Sequence, residues 1–125
     1  MKKLFALRGA TQCENNIEDI CLQIGLMYKE LLNSNKLEEE NIVSVIFSVT
    51  SDINAINPAA ALRRCGYATK DEALFSVQEP DCVNCLERTV RVIIHCYLDE
   101  DSKVQHIYRN GAEVLRQDRA MNNEQ

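Results

Sequence analysis

The sequence predicts an α+β domain, one mixed sheet with helices packed on one face, in the order β-α-β-α-β-β-β. Three stretches carry this expectation. Ile17, Ile20, Cys21, Ile24, Met27, Tyr28, Leu31 and Leu32 recur at helical spacing. Ile42 to Thr50 is β-branched and nearly all apolar. Residues 88–98 alternate, with Val90, Val92, Ile94, Cys96 and Leu98 on one face and Arg91, Ile93, His95 and Tyr97 on the other.

In chain order, residues 3–8 read as a first strand that ends in Arg8-Gly9-Ala10-Thr11. Asn15 then caps the long helix, with Glu18 three residues on in a capping-box pattern. Asn33-Ser34-Asn35 ends it. After the acidic turn at Glu38-Glu39-Glu40, the apolar run 42–50 reads as a strand covered on both faces. Ser51-Asp52 starts a loop, and Pro58 opens a short helix, Ala59 to Arg64, because proline suits the first helical turn. Gly66 terminates that helix. Residues 73–79 read as a third strand, broken by Pro80-Asp81, and residues 81–86 as a turn or short helix. After the strand at 88–98, Val104 to Tyr108 forms a last short strand. The tail after Arg116 is polar and expected to be mobile. Four glycines, two prolines and no repeat leave no hinge, so residues 1–125 read as one domain.

Composition narrows the function classes. A chain of 125 residues, 46% apolar and 26% charged, suits a soluble globular domain. It has little wall to spare for a deep private pocket, which favours a site at a subunit interface. Fourteen basic against nineteen acidic residues give a net charge of -5, which argues against nucleic acid and anionic lipid. The apolar runs fall short of the roughly 20 residues of a membrane span. The start, Met1-Lys2-Lys3-Leu4-Phe5, is basic then apolar, but Arg8 interrupts it before a signal-peptide core could form. The chain therefore reads as cytosolic, with Cys13, Cys21, Cys65, Cys82, Cys85 and Cys96 as reduced thiols.

Candidate chemistry is sparse. Cys82-Val83-Asn84-Cys85 has the spacing of a zinc half-site or a redox pair, but the other Cys and His are scattered singly, so two thiols in a turn is the favoured reading. His95 and His106 read as structural, because no local signature links either to a nucleophile. Arg91 sits mid-strand beside apolar residues, where it is either salt-bridged or part of an anion site. Arg8 closes the first strand next to a glycine, a place where strand ends carry function. Arg63 and Arg64 are adjacent on a short helix, one of them a solvated face. Glu79 reads as a surface carboxylate. Residue types and spacing alone thus reach a small α+β domain with a possible small-anion site.

The ordered set of motifs goes further. Leu7-Arg8-Gly9-Ala10-Thr11 resembles the I-R-G-A-T opening of the monofunctional AroH-type chorismate mutases. The resemblance continues through Ser48-Val49-Thr50-Ser51-Asp52-Ile53-Asn54-Ala55 and Pro58-Ala59-Ala60-Ala61-Leu62-Arg63. It resumes at Gln78-Glu79, Val90-Arg91-Val92, His106-Ile107-Tyr108 and Val114-Leu115-Arg116. It implies a homotrimeric pseudo α/β-barrel with active sites between subunits, converting chorismate to prephenate without metal or organic cofactor. The position matching Arg91 then donates to the ether oxygen, and those matching Arg8 and Tyr108 help bind the side-chain carboxylate. Glu79 accepts from the ring hydroxyl together with Ser76. Arg63 and Arg116 attract the ring carboxylate at the entrance, and Ala59, Phe75, Val77 and Leu115 line the pocket. Four positions depart from the family pattern. Ser76 replaces Cys but keeps hydrogen-bonding capacity, Asn57 replaces Phe, Ala60 replaces Lys, and Gln117 replaces the Pro of an L-R-P-D signature. The alternatives are a non-catalytic trimer that binds a prephenate-like anion, and a Cys-x-x-Cys redox or zinc module.

Overall fold

The computed structural model describes residues 1–68 and 70–115. The expected mixed sheet and element order are present. The strands are β1 (Lys2–Gln12), β2 (Ile42–Val49), β3 (Ala73–Gln78), β4 (Thr89–Asp99) and β5 (Ile107–Arg109). The helices are α1 (Ile17–Asn35) and α2 (Pro58–Arg64), and a short 3-10 turn spans Glu39–Asn41. The sheet order is β3-β2-β4-β1-β5. β4 runs antiparallel to both neighbours, while β2/β3 and β1/β5 are parallel. Residues 116–125, including Arg116, Gln117 and the tail expected to be mobile, lie outside the described residues.

The apolar periodicity of α1 becomes its buried face. Ile20, Ile24, Met27, Tyr28 and Leu31 are buried against the sheet. The cap is shifted one residue from expectation. Asn16, not Asn15, accepts from the Asp19 backbone N–H at 2.7 Å, and the Asp19 carboxylate reaches back to the Glu14 N–H at 2.7 Å. Asn15 is used elsewhere: its side chain accepts from the N–H groups of Asn54 and Ala55, both at 3.0 Å, and pins the loop before α2. The helix also runs through Asn35 and stops only where Lys36 turns left-handed at φ 51°. α2 begins as expected, with Asn57 accepting from the Ala59 N–H at 2.8 Å and Pro58 in the first turn.

β1 does not end at Arg8-Gly9. Gly9 lies inside the strand, paired with Val92 on one side and Ile107 on the other. The glycine serves a close approach and not a turn. A Cβ there would meet Leu31 Cδ1 at 3.1 Å, the Ile107 carbonyl oxygen at 3.2 Å and Val92 Cγ1 at 3.2 Å. β4 obeys its predicted alternation, with Val90, Val92, Ile94, Cys96 and Leu98 all buried. β5 is shorter than expected and begins at Ile107.

β2 corrects a second expectation. Val45 and Phe47 are fully buried, but Val43 is exposed and Ser44, Ile46 and Ser48 are only half-buried. The helices cover one face of the sheet, and within one chain the other stays open. On that open face the register aligns Arg8 with Ile93 and Ile46, and Ala10 with Arg91 and Ser48. Among the described residues, no helix is long and apolar enough to cross a membrane.

Two tests follow from the packing. Gly9→Ala should destabilise the fold by ~1–3 kcal/mol, because a carbonyl oxygen is among the atoms it would displace. Urea unfolding would measure this, and an unchanged midpoint would contradict the contact. Cys13 and Cys96 are buried, and burial pushes both thiols up to about 11. A thiol reagent at neutral pH should therefore label the exposed Cys65, Cys82 and Cys85 first and reach Cys13 and Cys96 only on denaturation. Peptide mass spectrometry over time reads the order, and early labelling of Cys96 would contradict it.

Candidate active site

The open face brings together Arg8 and Arg91. Arg91 projects from the middle of β4, next to Ser48 of β2 and Ala10 of β1. Its side chain is 48% exposed, so it is not a buried charge. Its Nε lies 3.9 Å from Glu79 Oε1, close enough to pair electrostatically but too far for a hydrogen bond. Arg91 thus has a carboxylate partner at ion-pair distance that does not consume its donors.

Glu79 is better held than a surface carboxylate. Its backbone N–H donates to the Val49 carbonyl at 2.8 Å, extending the β2/β3 ladder one residue past β3. Its side chain is only 24% exposed, and Oε1 accepts a hydrogen bond from the Ser48 hydroxyl. Arg8 and Tyr108 stand on the other side of Arg91. A cavity of about 180 Å³ is lined by Arg8, Ile46, Ser48, Arg91, Ile93 and Tyr108. That is smaller than the roughly 300–1,000 Å³ usual for a small-ligand site, and it opens outward from the sheet. Two guanidinium groups against one carboxylate suit an anion with more than one acceptor.

The remaining predicted residues are not in this cavity. Ser76 pairs with Phe47 and so shares the helix-covered face, where its hydroxyl donates to Asn57 Oδ1 at 3.0 Å. Asn57, Ser76 and Val77 border a second hollow of about 320 Å³, together with Thr50 and Asn54. Ala59 is buried beside it on α2, and Arg63 is exposed in the last turn of α2, lining neither cavity. Phe75, 62% exposed, and Val77 sit on edge strand β3. Leu115 is half-buried beyond β5, and Arg116 lies outside the described residues. One chain therefore brings together Arg8, Glu79, Arg91 and Tyr108, and holds Ser76 and Ala59 on the opposite face.

The loops explain how β4 enters in register. The Asp52 carboxylate accepts the Arg88 backbone N–H at 3.0 and 3.1 Å, and Thr50 Oγ1 accepts the Thr89 N–H at 2.9 Å. Both histidines have fastening roles. His106 Nδ1 accepts the Arg8 backbone N–H at 3.0 Å, and His95 Nδ1 shares a hydrogen bond with Ser44 at 2.9 Å. Cys82 and Cys85 end an exposed turn, with the Cys85 N–H donating to the Cys82 carbonyl at 3.2 Å. Among the described residues, no group of three or more His, Cys, Asp or Glu is gathered to hold a metal ion. Ser48 stood in a matched stretch of the sequence but was given no role there. Its place opposite Arg91 appears only once the register is known.

Comparison with known proteins points to one family. A family model described as chorismate mutase type I matches residues 4–119. The chorismate mutase AroH of Bacillus subtilis is 28% identical over 114 residues, covering 90% of this chain and 89% of that protein. The one from Thermus thermophilus is 30% identical over 115 residues, covering 90% and 93%. A solved chorismate mutase from Clostridium thermocellum superposes with a TM-score of 0.79 at 37% identity, covering 88% of this chain and 98% of that one.

Proposed function

The chain belongs to the type I chorismate mutase family, and from that premise we propose that it is an isomerase converting chorismate to prephenate on the path to phenylalanine and tyrosine. The observation that carries the reading is the pair Arg8 and Arg91 on one open cavity, with Glu79 beside Arg91 but not hydrogen-bonded to it. The reaction is an intramolecular pericyclic shift, so it needs no nucleophile and no proton relay. It needs the reactive diaxial conformer held, and donors aimed at the ether oxygen as that bond breaks. Arg91 supplies those donors and contacts the side-chain carboxylate. Arg8 and Tyr108 bind that carboxylate, and Glu79 accepts from the ring hydroxyl. No metal or organic cofactor takes part.

The working unit in this proposal is a homotrimer with shared sites. Ser76 and Ala59 lie across the sheet from Arg91, so a single chain cannot offer both groups to one small substrate. One subunit then presents Arg8, Glu79, Arg91 and Tyr108, and its neighbour presents Ala59, Arg63, Phe75, Val77 and Ser76. The exposed apolar residues on unpaired edge strand β3 support this. Leu115 lines the pocket, and Arg116 is assigned the attraction of the ring carboxylate at the entrance. Six free thiols support a reducing, cytosolic setting.

Purified protein should remove the diene absorbance of chorismate at an unchanged rate in the presence of a chelator. A protein that leaves chorismate untouched overturns the reading. Arg91→Ala should cost at least ~3 kcal/mol of transition-state stabilisation, by analogy with the loss of one preorganised donor. Citrulline at position 91 should also fail, because the guanidinium charge is required. Co-refolding Arg91→Ala with Arg63→Ala tests the shared site. Mixed trimers should regain activity that neither parent has, and mixtures no better than their parents would count against the shared site.

A further inference from the structure

We propose that Ser48 is the positioning residue of Glu79, and that it keeps Glu79 from closing onto Arg91. The proposal rests on the chorismate mutase reading above, in which Arg91 and Glu79 both face substrate.

The ladder sets the stage. Ser48 pairs with Arg91 on β4 and with Val77 on β3, so its side chain stands on the open face between the arginine and the strand that leads to Glu79. The bond from the Glu79 backbone N–H to the Val49 carbonyl fixes the glutamate's Cα beside β2, one residue from Ser48. The Ser48 hydroxyl donates to Oε1 of the carboxylate and also lines the cavity. Among the described residues, no other side chain hydrogen-bonds that carboxylate.

The consequence is electrostatic. A glutamate and an arginine side by side on a partly exposed surface tend toward a close, often bidentate contact. That contact would consume the guanidinium donors needed at the ether oxygen and the lone pairs needed at the ring hydroxyl. Instead Arg91 Nε stays 3.9 Å from Oε1. The hydrogen bond from the serine tethers a flexible side chain away from the guanidinium, so both charged groups stay available to substrate. The strand itself does not depend on this hydroxyl, because the β2 ladder is backbone to backbone.

A double-mutant cycle on the purified full chain tests this. Ser48→Ala should lower kcat/KM about tenfold, chiefly through kcat, and Ser48→Thr should return it to within about threefold of the starting protein. Neither should move the urea midpoint. In a Glu79→Ala background, Ser48→Ala should have no further effect. An equal loss in both backgrounds, an unchanged Ser48→Ala enzyme or a marked drop in its midpoint would each overturn the positioning role. These outcomes leave the function itself standing, whereas an inactive starting protein would overturn both.

Discussion

The pairing of β4 along both its edges is the constraint on which the rest depends. Side chains alternate across a strand, so a slip of one residue would exchange its two faces. Val90, Val92, Ile94 and Cys96 would then face solvent, and Arg91 would turn into the apolar core. The burial of those four residues thus holds the arginine on the open face. The same pairing aligns Ala10 with Arg91 and Ser48, which brings β1 and β2 to the site. The clasp of Asp52 and Thr50 on Arg88 and Thr89 fixes the strand's first residue, two positions before the arginine. Fold stability and site geometry are one requirement here.

The electrostatics then turn on a local imbalance. The chain carries a net charge of -5, yet its open cavity is lined by Arg8 and Arg91, with Glu79 beside Arg91. Arginine suits this task better than lysine, because its planar fork stays charged and meets two oxygens at once. Exposed as it is in one chain, such a pair is screened by water and binds an anion weakly. Covering the cavity would lower the local dielectric and strengthen each contact to a charge that develops during reaction. In the proposed reading, catalysis then depends on what closes over the face as well as on the arginines.

How much was legible in sequence follows the same physics. Alternation in 88–98 and the helical stripe of α1 gave core, faces and element order, because burial imposes a period on both. The Arg8-Gly9 step misled, since glycine marks turns and close approaches alike. Only the packing of Leu31 over Gly9 separates the two. Asn15 and Asn16 were indistinguishable as caps, because the choice depends on a loop 40 residues away in the chain. The apolar run of β2 suggested cover on both faces, but its own chain covers only one, because apolar composition does not say which face the helices take. Of the site, Arg91, Arg8, Glu79 and Tyr108 came from motif order. The same order included Ser48 without a role, because its meaning lies in register, a long-range property no single segment carries.

The open face is what joins these strands of reasoning. Phe75 and Val77 are exposed on an unpaired edge, and half-buried Ile46 and Ile93 lie further in, beside the arginines. Burying a side chain such as Phe75 stabilises by ~1.5–3 kcal/mol, so these residues favour association without help from charge. The arginines gain nothing from a purely apolar cover, since a desolvated guanidinium without a partner is costly. A cover must therefore be apolar over β3 and leave room for an anion over β4. A second copy meets both demands if it brings its own Ser76 and Ala59 edge to the cavity. On that arrangement the apolar rim drives assembly, and the charged centre stays unsatisfied until a dianion arrives.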